Sequence, residues 1–91
     1  MCTYQTELFD VRASAKTAEG WAPMTRAMVY VDHPIHLAAG HALMIDFLNP
    51  SGGPSARAAL EMDAHSARAL ARAILTSLDS VPEGLLSDLA S

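Results

Sequence analysis

The chain has 91 residues, a formal charge of −4, and 51% hydrophobic against 18% charged side chains. These values fit one globular domain spanning residues 1–91 and exclude a disordered or collagen-like chain. Alanine is the commonest residue, while Trp21 is the only tryptophan and Phe9 and Phe47 the only phenylalanines. The core is therefore small, and a chain this short is marginal alone, so a second subunit, a metal or a ligand would help it.

The basic residues Arg12, Lys16, Arg26, Arg57, Arg68 and Arg72 are scattered through an acidic chain. That pattern argues against nucleic acid and anionic membrane surfaces as partners. No apolar run approaches the roughly 20 residues of a spanning helix. The start, Met-Cys-Thr-Tyr-Gln-Thr-Glu, lacks the basic and apolar regions of a signal peptide, so a cytoplasmic location is expected. A lone cysteine, Cys2, excludes an intrachain disulfide. No glycine-rich phosphate motif occurs, so no nucleotide cofactor is expected.

The elements read as four strands followed by a helix. Residues 3–13 have strand-type side chains, with a slip in alternation at Leu8-Phe9 that suggests a bulge. Residues 14–20 read as a turn and 23–32 as a second strand. Pro34 ends the ladder, leaving 33–40 as a loop before a third strand at 41–48. Asn49-Pro50-Ser51-Gly52-Gly53-Pro54 is the strongest turn signal, and 55–62 is the fourth strand. Pairing Leu48 with Ser55 puts Leu43 opposite Leu60, Ile45 opposite Ala58, Phe47 opposite Ala56, and Asp46 opposite Arg57. Apolar and oppositely charged residues then match across the hairpin. Asp63 is suited to cap a helix at 64–79, whose Ala67, Leu70, Ala71, Ile74 and Leu78 recur at helical spacing. A short terminal helix follows Pro82, with Leu85, Leu86 and Leu89 apolar. The expected fold is α+β: a four-stranded antiparallel meander followed by one C-terminal helix (ββββα), with a possible short terminal helix.

A meander gathers the reactive residues at one edge of the sheet. Cys2 begins strand one, Asp32 and His33 end strand two, His36 lies in the loop, His41 begins strand three, and His65 sits in the first helical turn. Imidazole and thiolate ligands suit zinc, copper or iron. His33, His36 and His41, with Cys2 as a fourth ligand, form the candidate metal set. The alternatives are plain ones. His33 before proline is also a turn residue, His41 also fits the core edge, and a His65 cation would oppose the helix dipole. Cys2 is equally a small apolar side chain.

Asp46 stands among apolar residues, where a carboxylate can act as a general base; an ion pair with Arg57 is the competing reading. Asp32 with His33 is a further acid/base candidate, though such a pair also belongs to turn chemistry. Tyr4, Trp21, Tyr30 and His65 are candidates for a small-molecule pocket.

Met1-Cys2-Thr3-Tyr4, Gly20-Trp21 and Val29-Tyr30-Val31-Asp32-His33-Pro34-Ile35-His36 resemble a group of short actinobacterial proteins. So do His41-Ala42-Leu43-Met44-Ile45-Asp46-Phe47-Leu48-Asn49-Pro50 and Gly53-Pro54-Ser55-Ala56-Arg57. The resemblance covers nearly the whole chain up to the helix. It implies no particular reaction, only a bacterial setting in which small accessory proteins of specialised metabolism are common.

Three functions are expected in order: a metal-binding protein with a His/Cys site at the sheet edge, acting as a small-molecule enzyme or carrier; a metal-free cyclase or isomerase with His/Asp acid–base chemistry; and a non-catalytic partner-binding module docking through Leu85, Leu86 and Leu89. One helix covers one sheet face, so the other, with Met28, Tyr30, Met44 and Ala59, needs cover. A homodimer through that face is expected.

Overall fold

A computed structural model describes residues 5–53 and 56–90, with side chains described as far as Asp88. The elements are β1 (Glu7–Thr17), β2 (Gly20–Asp32), β3 (Ala42–Leu48), β4 (Arg57–Met62), α1 (Ala64–Asp79) and α2 (Glu83–Ala90), with a one-turn 3-10 helix at Pro50–Gly52. The strands form one antiparallel sheet in the order β1-β2-β3-β4. The expected meander and both helices are therefore present. No helix among the described residues is long and apolar enough to cross a membrane.

The first hairpin is longer than its composition suggests. The expected turn at 14–20 shrinks to Ala18-Glu19, because Ser14, Ala15 and Lys16 continue β1 opposite Pro23, Ala22 and Trp21. The Thr17 hydroxyl closes the turn by donating to the Gly20 carbonyl at 2.8 Å and accepting from the Glu19 N–H at 3.2 Å. Gly20 carries φ 111°, a conformation that side chains with a Cβ avoid. Pairing along a two-residue turn overrides the weak strand propensity of the small residues. The bulge lies at Val11-Arg12, between the Asp10–Arg26 and Ala13–Met24 pairs, rather than at Leu8-Phe9.

The β3–β4 register also needs correction. Leu43 faces Met62, Ile45 faces Leu60, Phe47 faces Ala58 and Asp46 faces Ala59. The loop is two residues longer than expected, because Asn49 caps the 3-10 turn and its own N–H bonds to Ala56. A shift of two leaves every side chain on its expected face, since two is the strand period. Asp46 and Arg57 then meet diagonally, with Arg57 Nη2 3.0 Å from Asp46 Oδ2.

Asp63 caps α1 by accepting the Ser66 N–H at 2.7 Å. That bond, with the Ser66 side chain, holds the Asp63 carboxyl below its ordinary range. α1 has no interior glycine or proline and stops at Ser80, two residues before Pro82.

α1 lies on the expected sheet face, while the buried residues of β3, Ala42, Met44 and Asp46, are on the other. On the face carrying Met28, Tyr30, Met44 and Ala59, the core residue Met44 is only 6% exposed, Met28 and Tyr30 are half-buried, and Ala59 alone is open. The loop residues Ile35, His36 and Leu37 lie against this face. Glu61 anchors the loop by accepting the backbone N–H groups of Ile35, His36 (3.0 Å) and Leu37 (2.8 Å). The opposite face belongs to α1, which meets the sheet chiefly at β3 and buries none of its own residues. Between helix and sheet runs an apolar trough of about 340 Å³, bounded by Val29, Ile45, Met62, Leu70 and Ile74.

Candidate functional site

The loop face carries the polar cleft, of about 460 Å³. β2 supplies Tyr30, β3 supplies Met44 and Asp46, β4 supplies Arg57 and Glu61, and the anchored loop supplies His36. Strand pairing sets this constellation. Tyr30 is the register partner of Met44, and Asp46 is the next residue along that face.

Asp46 is the centre of the cleft and is 3% exposed. Its Oδ2 accepts the Tyr30 hydroxyl at 3.1 Å and Arg57 Nη2 at 3.0 Å. Its Oδ1 is buried and has no hydrogen-bond partner among the described residues. One carboxylate thus has one oxygen saturated and one with spare acceptor capacity. Burial, followed by the hydrogen bond and charge of Asp46, pushes the Tyr30 phenol above its ordinary range. Tyr30 therefore stays a hydrogen-bond donor at neutral pH.

Glu61 was not among the residues singled out from sequence. Its backbone bonds, first to Ile35 and then to Leu37, hold its carboxyl below the ordinary carboxylate range. Nothing local in sequence marks this role, because its partners lie about 25 residues away.

A second cluster occupies the sheet edge where β2 ends and β3 begins. The rings of His33 and His41 lie 4.5 Å apart, centroid to centroid, tilted by 37°. The His33 N–H donates to Asp32 Oδ1 at 2.7 Å. His33 Nδ1 lies 3.0 Å from the Gly40 carbonyl. A carbonyl only accepts, so Nδ1 carries the proton and, in the neutral ring, Nε2 keeps its lone pair. His41 borders a separate cleft of about 280 Å³ with Val31, Leu43, Ala67 and Arg68, on the α1 side. His36 instead lines the loop-face cleft. Among the described residues, no group of three His, Cys, Asp or Glu side chains is gathered as a metal ligand set.

The other candidates are dispersed. Trp21 is 70% exposed beside the β1–β2 turn, at the end of the hairpin away from the histidine edge. His65 is exposed in the first turn of α1. Cys2 and Tyr4 lie outside the described residues.

No curated protein and no solved structure matches the chain. One family model does, over residues 1–87, and its description is "Family of unknown function (DUF6295)". That match takes in all four strands, the anchored loop, both histidine positions at the edge and α1, and the chain belongs to this family of unknown function.

Proposed function

We propose that this chain binds a small carbonyl-bearing molecule in the loop-face cleft and moves a proton on it, as a cyclase or isomerase does. The observation that carries this reading is the divided carboxylate of Asp46. Oδ2 is held by Tyr30 and Arg57, which fixes the group, while buried Oδ1 remains able to accept a proton. Arg57, which spends one of its N–H donors on Asp46, keeps others for negative charge developing on a carbonyl oxygen, and His36 lines the same cleft. A small bacterial protein of specialised metabolism is a fitting setting for such a site.

The test is proton exchange on simple probes. Acetylacetone and ethyl acetoacetate are followed by NMR in deuterated buffer, with the amide shifts of the protein recorded in parallel. Shifts confined to the cleft residues are expected, with α-carbon exchange above the solvent rate that disappears in Asp46→Asn. Exchange equally fast in Asp46→Asn and Tyr30→Phe would sink the reading.

Metal binding is a second reading, favoured by the His33–His41 pair. A backbone carbonyl on His33 Nδ1 is the usual support for a metal-ligating imidazole, because it leaves Nε2 as the ligand. Zinc, copper or iron would suit His33 and His41 with Cys2 completing the set; His36 is then dispensable. Elemental analysis of untagged protein decides. Stoichiometric metal that is lost in His33→Ala and kept in His36→Ala supports the reading, and metal-free protein after growth in metal-supplemented medium refutes it.

A further inference from the structure

Asp46 is the one polar residue buried among the described residues. A buried carboxylate oxygen left without a donor is costly, more so than a neutral acceptor. Oδ1 is such an atom. Irregular pairing does not explain it, because β3 runs in register with β2 and β4 on both sides of Asp46. Its cross-strand neighbours there are Met28 and Ala59, whose side chains carry no donor. The loop-face cleft borders Asp46, so a molecule in the cleft can bring the donor that the neighbouring strands do not.

The cleft's other groups narrow what that molecule is. Arg57 spends Nη2 on Asp46 Oδ2 at 3.0 Å and keeps further N–H groups for an acceptor. Oδ1 and those N–H groups belong to one carboxylate–guanidinium pair, so the ligand's donor and acceptor sit side by side on one edge. The carboxylates of Asp46 and Glu61 outnumber the Arg57 guanidinium in the cleft. A ligand carboxylate would add a third negative charge and aim an acceptor at Oδ1, so the fitting ligand is neutral. Its body meets Met44, Ala59, Leu37 and Ile35, the last of them 90% exposed on the anchored loop. These walls are apolar, as in most small-molecule pockets.

We infer that the cleft selects a neutral cyclic amide, its N–H donated to Asp46 Oδ1 and its carbonyl held by Arg57. A ring holds the amide N–H and C=O on one edge, as the pair requires. The inference rests on the carbonyl-binding reading proposed above and narrows its ligand class, with the amide N–H in the place of the proton that Asp46 moves. Because Oδ1 is buried, the ligand enters by displacing the half-exposed Arg57 side chain, which closes again on the carbonyl. NMR titration of the full chain at neutral pH tests it with three probes of similar size: ε-caprolactam, N-methylcaprolactam and cyclohexanecarboxylate. Caprolactam should move the amide signals of Tyr30, Met44, Asp46 and Arg57, with a Kd at least about tenfold below those of the other two, which leave Oδ1 unpaired. In Asp46→Asn the gap between caprolactam and cyclohexanecarboxylate should close; if that variant does not fold, the wild-type comparison decides. Equal binding of N-methylcaprolactam or cyclohexanecarboxylate, an unchanged gap in Asp46→Asn, or no cleft shift with caprolactam would overturn the inference. Lactam selectivity without proton exchange on acetylacetone refutes the proposed chemistry and leaves this ligand class standing. Exchange without lactam selectivity does the reverse.

Discussion

Replacing Asp46 by alanine probes the most consequential buried group in the protein. The substitution leaves the Tyr30 hydroxyl and the Arg57 guanidinium without their shared acceptor. A hydrogen bond to a charged group contributes about 1.5–3 kcal/mol. Arg57 is nearly half exposed, so its share falls toward the roughly 0.2–1 kcal/mol of a surface pair. Tyr30 is half-buried and recovers part of its loss from water. The expected net loss is about 2 kcal/mol. Urea unfolding at fixed protein concentration measures it. With a slope near 1–1.5 kcal/mol per M for a chain of this size, the midpoint should fall by about 1.5 M. The companion experiment pairs Asp46→Leu with Tyr30→Phe, which removes donor and acceptor together and should recover part of the loss. If Asp46→Ala lies within about 0.5 kcal/mol of wild type, the carboxylate does not hold β2 to β4 and the reasoning fails.

Glu61 should govern the loop rather than the sheet. Its lowered pKa means that the anchor is intact above the ordinary carboxylate range and is lost as pH falls through the lowered value. Amide exchange at Ile35 and Leu37 should accelerate in Glu61→Gln at neutral pH, while exchange in β2 and β3 stays slow; unchanged loop exchange would refute the anchor. Asp63 follows the same sign. Helicity measured by circular dichroism should drop on acidification through the lowered Asp63 pKa, and Asp63→Ala should abolish that step. Gly20→Ala should cost about 1–2 kcal/mol in thermal or urea unfolding, because its φ of 111° disfavours a Cβ. No measurable loss would show that the turn relaxes.

Periodicity and turn chemistry were enough to read the element order from sequence. Alternation marked the strands, Asp63 and Pro82 bracketed the helices, and the Asn-Pro-Ser-Gly-Gly-Pro run placed the second hairpin. Strand faces were legible too, because the side-chain period of two survives an error of two in register. That is why the Asp46–Arg57 contact was anticipated although its register partner was not. The strand-like run of Ser14 to Lys16 was not legible, since pairing rather than propensity made it a strand.

What only the tertiary structure decided is where the loop goes and what it does to the site. Spacing grouped His33, His36 and His41 as one set. Folding splits them: His33 and His41 stack at the sheet edge, while Glu61 draws His36 into the cleft with Tyr30 and Asp46. The same capture brings the loop onto the sheet face opposite the helix. Local sequence sets the period and the ends of each element. A carboxylate accepting three backbone N–H groups from a distant loop belongs to no local pattern, and that contact determined which side chains share a site.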